Sequence, residues 1–239
     1  MTSAKLQLEK CLVVLPTYNE AENIETVCAR LNNVIDCHIL IVDDGSTDGT
    51  IQIIKKLSEE NSKIHLSLRN SKNGLGDAYR HAYKYAIEQG YEILIQCDAD
   101  GSHEIEKIPK LFEQYKSGSD LVIGSRYVAG GNVEGWAKTR ILISKAGNLY
   151  AKLVLRLPVK DLTAGFRLYR IASLKKINYQ SAVAKGYSFQ IQMTYLFRNL
   201  KISEVPITFV DRVFGSSKMN TKIALEAIWQ IPFIRLNSK

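Results

Sequence analysis

"YEILIQCDADGSHE", residues 91–104, is the stretch whose reading decides the fold. An apolar run long enough for one buried strand stops at Asp98, and Asp100 follows two residues later. Carboxylates so close repel each other unless something positive lies between them. The same pattern recurs along the chain. "CLVVL" (11–15), "HILIVDD" (38–44), "IHLSL" (64–68) and "DLVIGS" (120–125) are further strand-like runs. Amphipathic stretches of helical length separate them at 21–34, 47–60, 76–89 and 105–117. Strand and helix in alternation predict an α/β fold, a mostly parallel sheet with helices on both faces. In such sheets ligands bind beyond the carboxyl ends of the strands. The polar signatures gather there: "PTYNE" (16–20), "DDGSTDGT" (43–50), "DADGSH" (98–103) and "GSR" (124–126).

From residue 126 the alternation fails. A glycine-rich segment, "YVAGGNVEGW" (127–136), reads as a mobile loop. A long helix is expected at 139–157, then "DLTAGFRLYR" (161–170), a helix near 187–199 and a strand at 202–210. A basic loop, "DRVFGSSKMN", and a C-terminal helix follow. With no repeat or linker in 239 residues, one domain with an elaborated second half is expected.

Composition narrows the partners. The chain has 32 basic and 24 acidic residues, a net charge of +8. That excess suits nucleic acid, anionic headgroups, a phosphorylated substrate or simply a solvated surface. The basic residues are dispersed rather than interleaved with aromatics, which argues against nucleic acid. Cys11, Cys28, Cys37 and Cys97 lie in apolar or helical stretches without a CxxC pair, so reduced thiols and the cytosolic side of a membrane are expected. No signal peptide and no apolar run of about 18 residues is present, so any membrane contact is expected to be peripheral or through a partner.

The motifs carry separable chemistry. In "DDGSTDGT", Gly45 permits a tight turn and Ser46 or Thr47 is expected to cap the next helix. One of Asp43 and Asp44 is expected to be held by backbone donors, leaving the other for a ligand's hydroxyls or base. Glu20 stands at a helix start, and Tyr18 offers an aromatic face. Asp98 and Asp100, with Ser102 beyond them, form a hard oxygen site suited to Mg²⁺ or Mn²⁺ that shares its shell with water and phosphate. Arg140 and Ser144 lie four apart on one helical face near Lys138 and Lys145, a grip for a phosphate. "NLYAKLVLRLP" (148–158) continues that helix with basic residues among apolar ones, as a helix in the headgroup layer would.

Taken in this order and spacing, "PTYNE", "DDGSTDGT", "DADGSH" and "GSR" resemble a GT-A fold (Rossmann-like) glycosyltransferase of family 2. "GWAKTRILISKAGN" (135–148), "DLTAGFRLYR" and "RVFGSSKM" (212–219) narrow the resemblance to the polyprenol-phosphate, or dolichol-phosphate, mannosyltransferases. The resemblance spans residues 11 to about 222. It implies GDP-mannose as donor, a polyprenyl or dolichyl phosphate as acceptor and a divalent cation. It implies one domain, 1–239, with a nucleotide-sugar half at 11–126 and an acceptor half at 127–239. By position, Pro16, Tyr18, Glu20, Val42 and Asp44 match nucleoside-binding residues. Asp98, Ala99 and Asp100 match the donor and metal site, and Ser102 stands where some relatives have Gln. Arg126 matches the arginine of "GSR", Arg212 and Lys218 match groups that close over the diphosphate, and with Asp100 the three form the expected catalytic set. Lys138, Arg140 and Ser144 fall to the acceptor phosphate, while Asp161, Thr163 and Arg167 are left without roles. The implied setting is the cytoplasmic face of a membrane, reached directly or through a small membrane subunit.

Two rivals are weaker. A UDP-sugar transferase of the same family would use the same chemistry, but such relatives usually carry C-terminal membrane spans. A dinucleotide-dependent dehydrogenase needs three glycines after the first strand, and "NGLGDA" (73–78) has two, after the third.

Overall fold

The computed structural model describes residues 5–69, 74–184, 186–212 and 229–236. The first half alternates as expected: β1 (Leu6–Thr17), α1 (Ile24–Val34), β2 (Ile35–Asp43), α2 (Thr50–Glu60), β3 (Ile64–Leu68), α3 (Leu75–Glu88), β4 (Ile93–Gln96), α4 (Ile108–Lys116) and β5 (Leu121–Ser125). Then come β6 (Asn132–Glu134), α5 (Lys138–Leu155), β7 (Arg167–Arg170), α6 (Ile171–Leu174), α7 (Tyr187–Leu196), β8 (Ile202–Pro206) and β9 (Thr208–Val210). A helix at 229–236 closes the described chain.

Seven strands form one sheet in the order β3-β2-β1-β4-β7-β5-β8, parallel except for β7. Its strands read as continuous apolar runs because both faces are covered. Successive side chains point to opposite faces. Leu12 and Val14 therefore pack with Leu40, Val42 and Leu94 under α3, α5 and α7. Cys11, Val13 and Leu15 pack with Ile39, Ile41 and Ile95 under α1 and α4. Each such side chain, fully removed from water, contributes about 1.5–3 kcal/mol. All four cysteines are buried and unpaired. Burial alone pushes the Cys28 thiol up to about 12, so it stays protonated.

"RLYR", given no element from the sequence, is β7, which enters the sheet antiparallel between β4 and β5. Two expectations needed correction, both in the second half. The strand expected at 202–210 is two strands. The Ile207 N–H donates to the Ser125 carbonyl at 3.1 Å, and the Ile207 carbonyl accepts from the Asn132 N–H at 3.0 Å. Ile207 thus hands the chain from β8, in the main sheet, to β9, which pairs with β6. The loop at 127–136 is accordingly fastened by β6 rather than open throughout. Among the described residues, no helix is long and apolar enough to cross a membrane.

Candidate active site

The two turns after β1 and β2 are built against each other. Asp43 is fully buried, and its carboxylate accepts from the Gly45 and Ser46 N–H groups at 3.0 and 2.8 Å. It also accepts from the Ser46 and Thr17 hydroxyls at 2.6 and 2.8 Å. Asp43 is therefore the acid that holds the turn, and Gly45 takes the positive φ, +83°, that the turn requires. Ser46 Oγ serves Asp43 and the Asn19 N–H rather than capping α2. The N–H of Thr50, the first residue of α2, instead donates to Asp48. Asn19 accepts from the Thr47 N–H at 2.9 Å, which compensates its own left-handed backbone, φ +58°. These bonds leave Pro16, Tyr18, Glu20 and Asp44 facing a cleft of about 380 Å³. Asp44 Oδ1 lies 3.3 Å from Arg69 Nε at its margin.

Further along the same rim, Asp98, Ala99 and Asp100 line the cleft. Beside the acids stand Arg212, whose guanidinium lies 3.1 Å from Asp100 Oδ2, and His103, whose Nε2 lies 3.6 Å from Asp98 Oδ2. The Asp98 N–H donates to His103 Nδ1, which directs the ring's own N–H toward the carboxylate. Tyr79 donates its hydroxyl to Asp98 Oδ1 at 3.1 Å. Burial, with the Asp98 charge adding to it, holds that phenol well above its ordinary range, so it keeps the proton it donates. Burial also raises the Asp98 carboxyl, and Asp100 adds repulsion against the pull of His103 and Arg212. Gly165 closes over this pair: a Cβ there would stand 3.2 Å from Asp98 Oδ2.

This donor set fits a hard divalent cation. Ser102 is buried, its N–H donates to Asp100 Oδ1 at 3.0 Å, and its hydroxyl has no partner among the described residues. No group of three His, Cys, Asp or Glu side chains placed to hold a metal ion by themselves occurs among them. A cation here would keep open positions for water and phosphate oxygens, as Mg²⁺ and Mn²⁺ do.

On another part of the cleft lining, Arg140 stands near the start of α5 with its guanidinium 3.8 Å from the Trp136 ring centre. Arg140 Nη1 donates to Asp211 at 3.1 and 3.4 Å. Arg140 Nε and Trp136 Nε1 are both buried without a hydrogen-bond partner among the described residues. Two stacked N–H donors lacking acceptors are costly unless a ligand supplies one. Sequence reasoning passed over Trp136, although its place four residues before Arg140 was the available signal. It also missed Asp211 and Gln190, which line the same cleft.

Several expected site residues sit elsewhere. Arg126 lines the cleft, but its Nε and Nη2 each donate to Asp161 at 2.7 Å, and Nη2 donates to Thr163 at 2.8 Å. Arg126, expected among the nucleotide-sugar residues, thus also serves as a strut in the cleft wall. Arg167 is wholly buried, donating to the carbonyls of Leu162, Ala164 and Gln190. The Val42 side chain belongs to the core rather than the cleft. Ser144 shares α5 with Arg140 but accepts from the Tyr127 hydroxyl at 2.6 Å and does not line the cleft. Lys138 is exposed and outside it. Lys218 lies outside the described residues.

Residues 12–178 match Glycosyl transferase family 2. The chain is 40% identical to polyprenol monophosphomannose synthase of Mycolicibacterium smegmatis, over 93% of this chain and 86% of that protein. It is 42% identical to undecaprenyl-phosphate mannosyltransferase of Micrococcus luteus, over 92% and 91%. Among solved structures it is similar to glucosyl-3-phosphoglycerate synthase from Mycobacterium tuberculosis in complex with Mn²⁺, UDP and glucosyl-3-phosphoglycerate. That likeness has a TM-score of 0.65 at 20% identity, over 95% of this chain and 79% of that one. The chain belongs to glycosyltransferase family 2, and its α/β sheet is of the GT-A kind.

Proposed function

We propose that this glycosyltransferase moves mannose from GDP-mannose to a polyprenyl (dolichyl) phosphate, with inversion and with a divalent cation, Mg²⁺ or Mn²⁺. The names of its relatives support mannose and a polyprenyl phosphate acceptor. The observation that carries the reading is one cleft with opposed chemistries: acids Asp98 and Asp100 on one wall, unpartnered donors Trp136 Nε1 and Arg140 Nε on another. The first suits a cation with a diphosphate, the second a separate anion. In this reading residues 1–239 form one catalytic domain, with 11–126 presenting the donor and 127–239 the acceptor.

Pro16, Tyr18, Glu20 and Asp44 would hold the nucleoside. Asp98, Asp100 and Ser102 would hold the cation, which when bound supplies positive charge to the departing diphosphate. Arg212 and Lys218 would add to that charge. Arg140 and Trp136 would orient the acceptor phosphate so that one oxygen faces the anomeric carbon. That oxygen is already anionic, so no base is needed. The bond from oxygen to anomeric carbon forms as the bond to GDP breaks, and no proton moves. Catalysis is then positioning and charge stabilisation. Arg126, held by Asp161, would position the wall rather than touch the donor.

The acceptor's lipid needs an apolar approach. On α5, Leu142, Leu149 and Leu153 are 57–69% exposed, and Trp229, Phe233 and Leu236 are 57–75% exposed on the helix at 229–236. Arg235 Nη1 donates to the Val154 carbonyl and ties the two helices together. Exposed apolar area of this extent favours a peripheral seat on the cytoplasmic face of a membrane, directly or with a small membrane subunit.

Radiolabelled GDP-mannose incubated with a short polyprenyl phosphate and Mn²⁺ should give label extractable into organic solvent. Chelator should abolish it, and excess UDP-sugar should not compete. Transfer that survives chelation, or label taken only from a UDP-sugar, would overturn the reading.

A further inference from the structure

The four buried amide side chains among the described residues, Gln96, Asn148, Gln190 and Gln192, are 0–6% exposed. Three of them are structural. Gln96 accepts from the Tyr83 hydroxyl and donates to the Gly165 carbonyl. Asn148 accepts from the Leu162 N–H and donates to Ser144 and Thr163. Gln192 accepts from the Ala184 N–H and donates to the Ser181 carbonyl. Gln190 differs: it is 2% exposed, and neither its Oε1 nor its Nε2 has a partner among the described residues. It lines the cleft. A buried amide left without bonds is destabilising, and folded proteins rarely keep one without a use.

The placement of Gln190 is enforced from behind. The wholly buried Arg167 donates to the Gln190 carbonyl at 3.0 Å and to the Thr194 hydroxyl one turn on. The same guanidinium holds the Leu162 and Ala164 carbonyls at 2.9 and 2.7 Å. One arginine therefore fixes α7 against the segment that carries Gly165 onto Asp98. Gln190 lines the same cleft as the acids, from α7 rather than from the turns that carry Tyr18 and Asp44.

We propose that Gln190 recognises hydroxyl groups of the donor's hexose, its carbonyl accepting from one and its amide N–H donating to another. The inference rests on the reading of the cleft as the site of a nucleotide sugar. The hexose must lie between the cation-held diphosphate and the acceptor phosphate, and among the described residues Gln190 is the buried cleft-lining amide with both hydrogen-bonding functions open. If Gln190 serves the hexose, loss of the amide should act on the sugar and leave the nucleotide alone.

Calorimetric titration with GDP and with GDP-mannose, each with Mn²⁺, separates the possibilities. In Gln190→Ala, GDP should bind within about twofold of the unsubstituted protein, while GDP-mannose should weaken roughly tenfold or more. Gln190→Met, which keeps the volume and removes the unsatisfied amide, should show the same selective loss with a melting temperature unchanged or raised. GDP-mannose binding unaltered in both variants would overturn the assignment. Equal loss of GDP and GDP-mannose would also overturn it, as would a lowered melting temperature in Gln190→Met, since both are marks of a structural role. If the unsubstituted protein binds neither ligand, the nucleotide-sugar reading fails first and takes this proposal with it.

Discussion

Arg126 and Arg140 stand fourteen residues apart and line one cleft, yet their surroundings give them opposite work. Arg126 is 7% exposed and forks onto both oxygens of Asp161, itself wholly buried. The Arg126 N–H reaches the same carboxylate at 3.0 Å. Arg140 meets Asp211 through a single terminal nitrogen, in a pair 23% and 31% exposed, and leaves Nε open beside an open Trp136 N–H. A guanidinium gripped through Nε and Nη2 by a buried acid braces the wall. One held loosely at the mouth has donors to offer an anion. What a basic residue in a site motif does is set by the acid the fold brings to it, here 35 positions away for Arg126 and 71 for Arg140.

That contrast can be broken by substitution. Asp161→Ala should have the largest effect: it strands the buried Arg126 charge and should lower stability by about 3–5 kcal/mol in denaturant unfolding. If unfolding were unchanged, the strut would not exist. Arg140→Ala should change stability by less than about 1 kcal/mol, because its ion pair is partly exposed. Its transfer rate to a polyprenyl phosphate should nonetheless fall on the order of 10²-fold. Trp136→Phe keeps the stacked ring and removes one N–H. The KM for the acceptor should rise roughly tenfold with little change in GDP binding, as expected for one hydrogen bond to a charged group. Lys138→Ala should be nearly silent in acceptor kinetics, since Lys138 lies on the same helix but outside the cleft. A large rise in acceptor KM there would move the phosphate site along α5.

The two halves of the chain were unequally legible. The alternation through residue 125 reported its strands because a sheet covered on both faces needs unbroken apolar runs, and local pattern carries that requirement. The "DDGSTDGT" turn announced that one of its two acids would be held by backbone donors without saying which; that acid is Asp43, and Asp44, named only by the resemblance, lines the cleft. In the second half the deciding contacts are long-range. Nothing local marks "RLYR" as an antiparallel strand, because its place depends on the edges that β4 and β5 offer. Nothing in "ISEVPITFV" marks Ile207 as the point where the chain changes sheets. Side-chain roles obeyed the same limit: Ser144 and Arg140 share a helical face, but Tyr127 takes the hydroxyl. Gln190 was hidden differently, as a polar residue in the buried helix "YSFQIQMTYL", where only the three-dimensional packing tells it from the saturated Gln192.

In the proposed function, the acids at the end of β4 hold a cation together with a nucleotide diphosphate. Titration of Mn²⁺ into the protein, followed by electron paramagnetic resonance with and without GDP, tests this most directly. One tightly held Mn²⁺ per chain should appear when GDP is present, and Asp100→Ala should lose it while remaining folded. Equal Mn²⁺ binding by the Asp100→Ala protein, or no bound Mn²⁺ in the unsubstituted protein with GDP, would contradict the account.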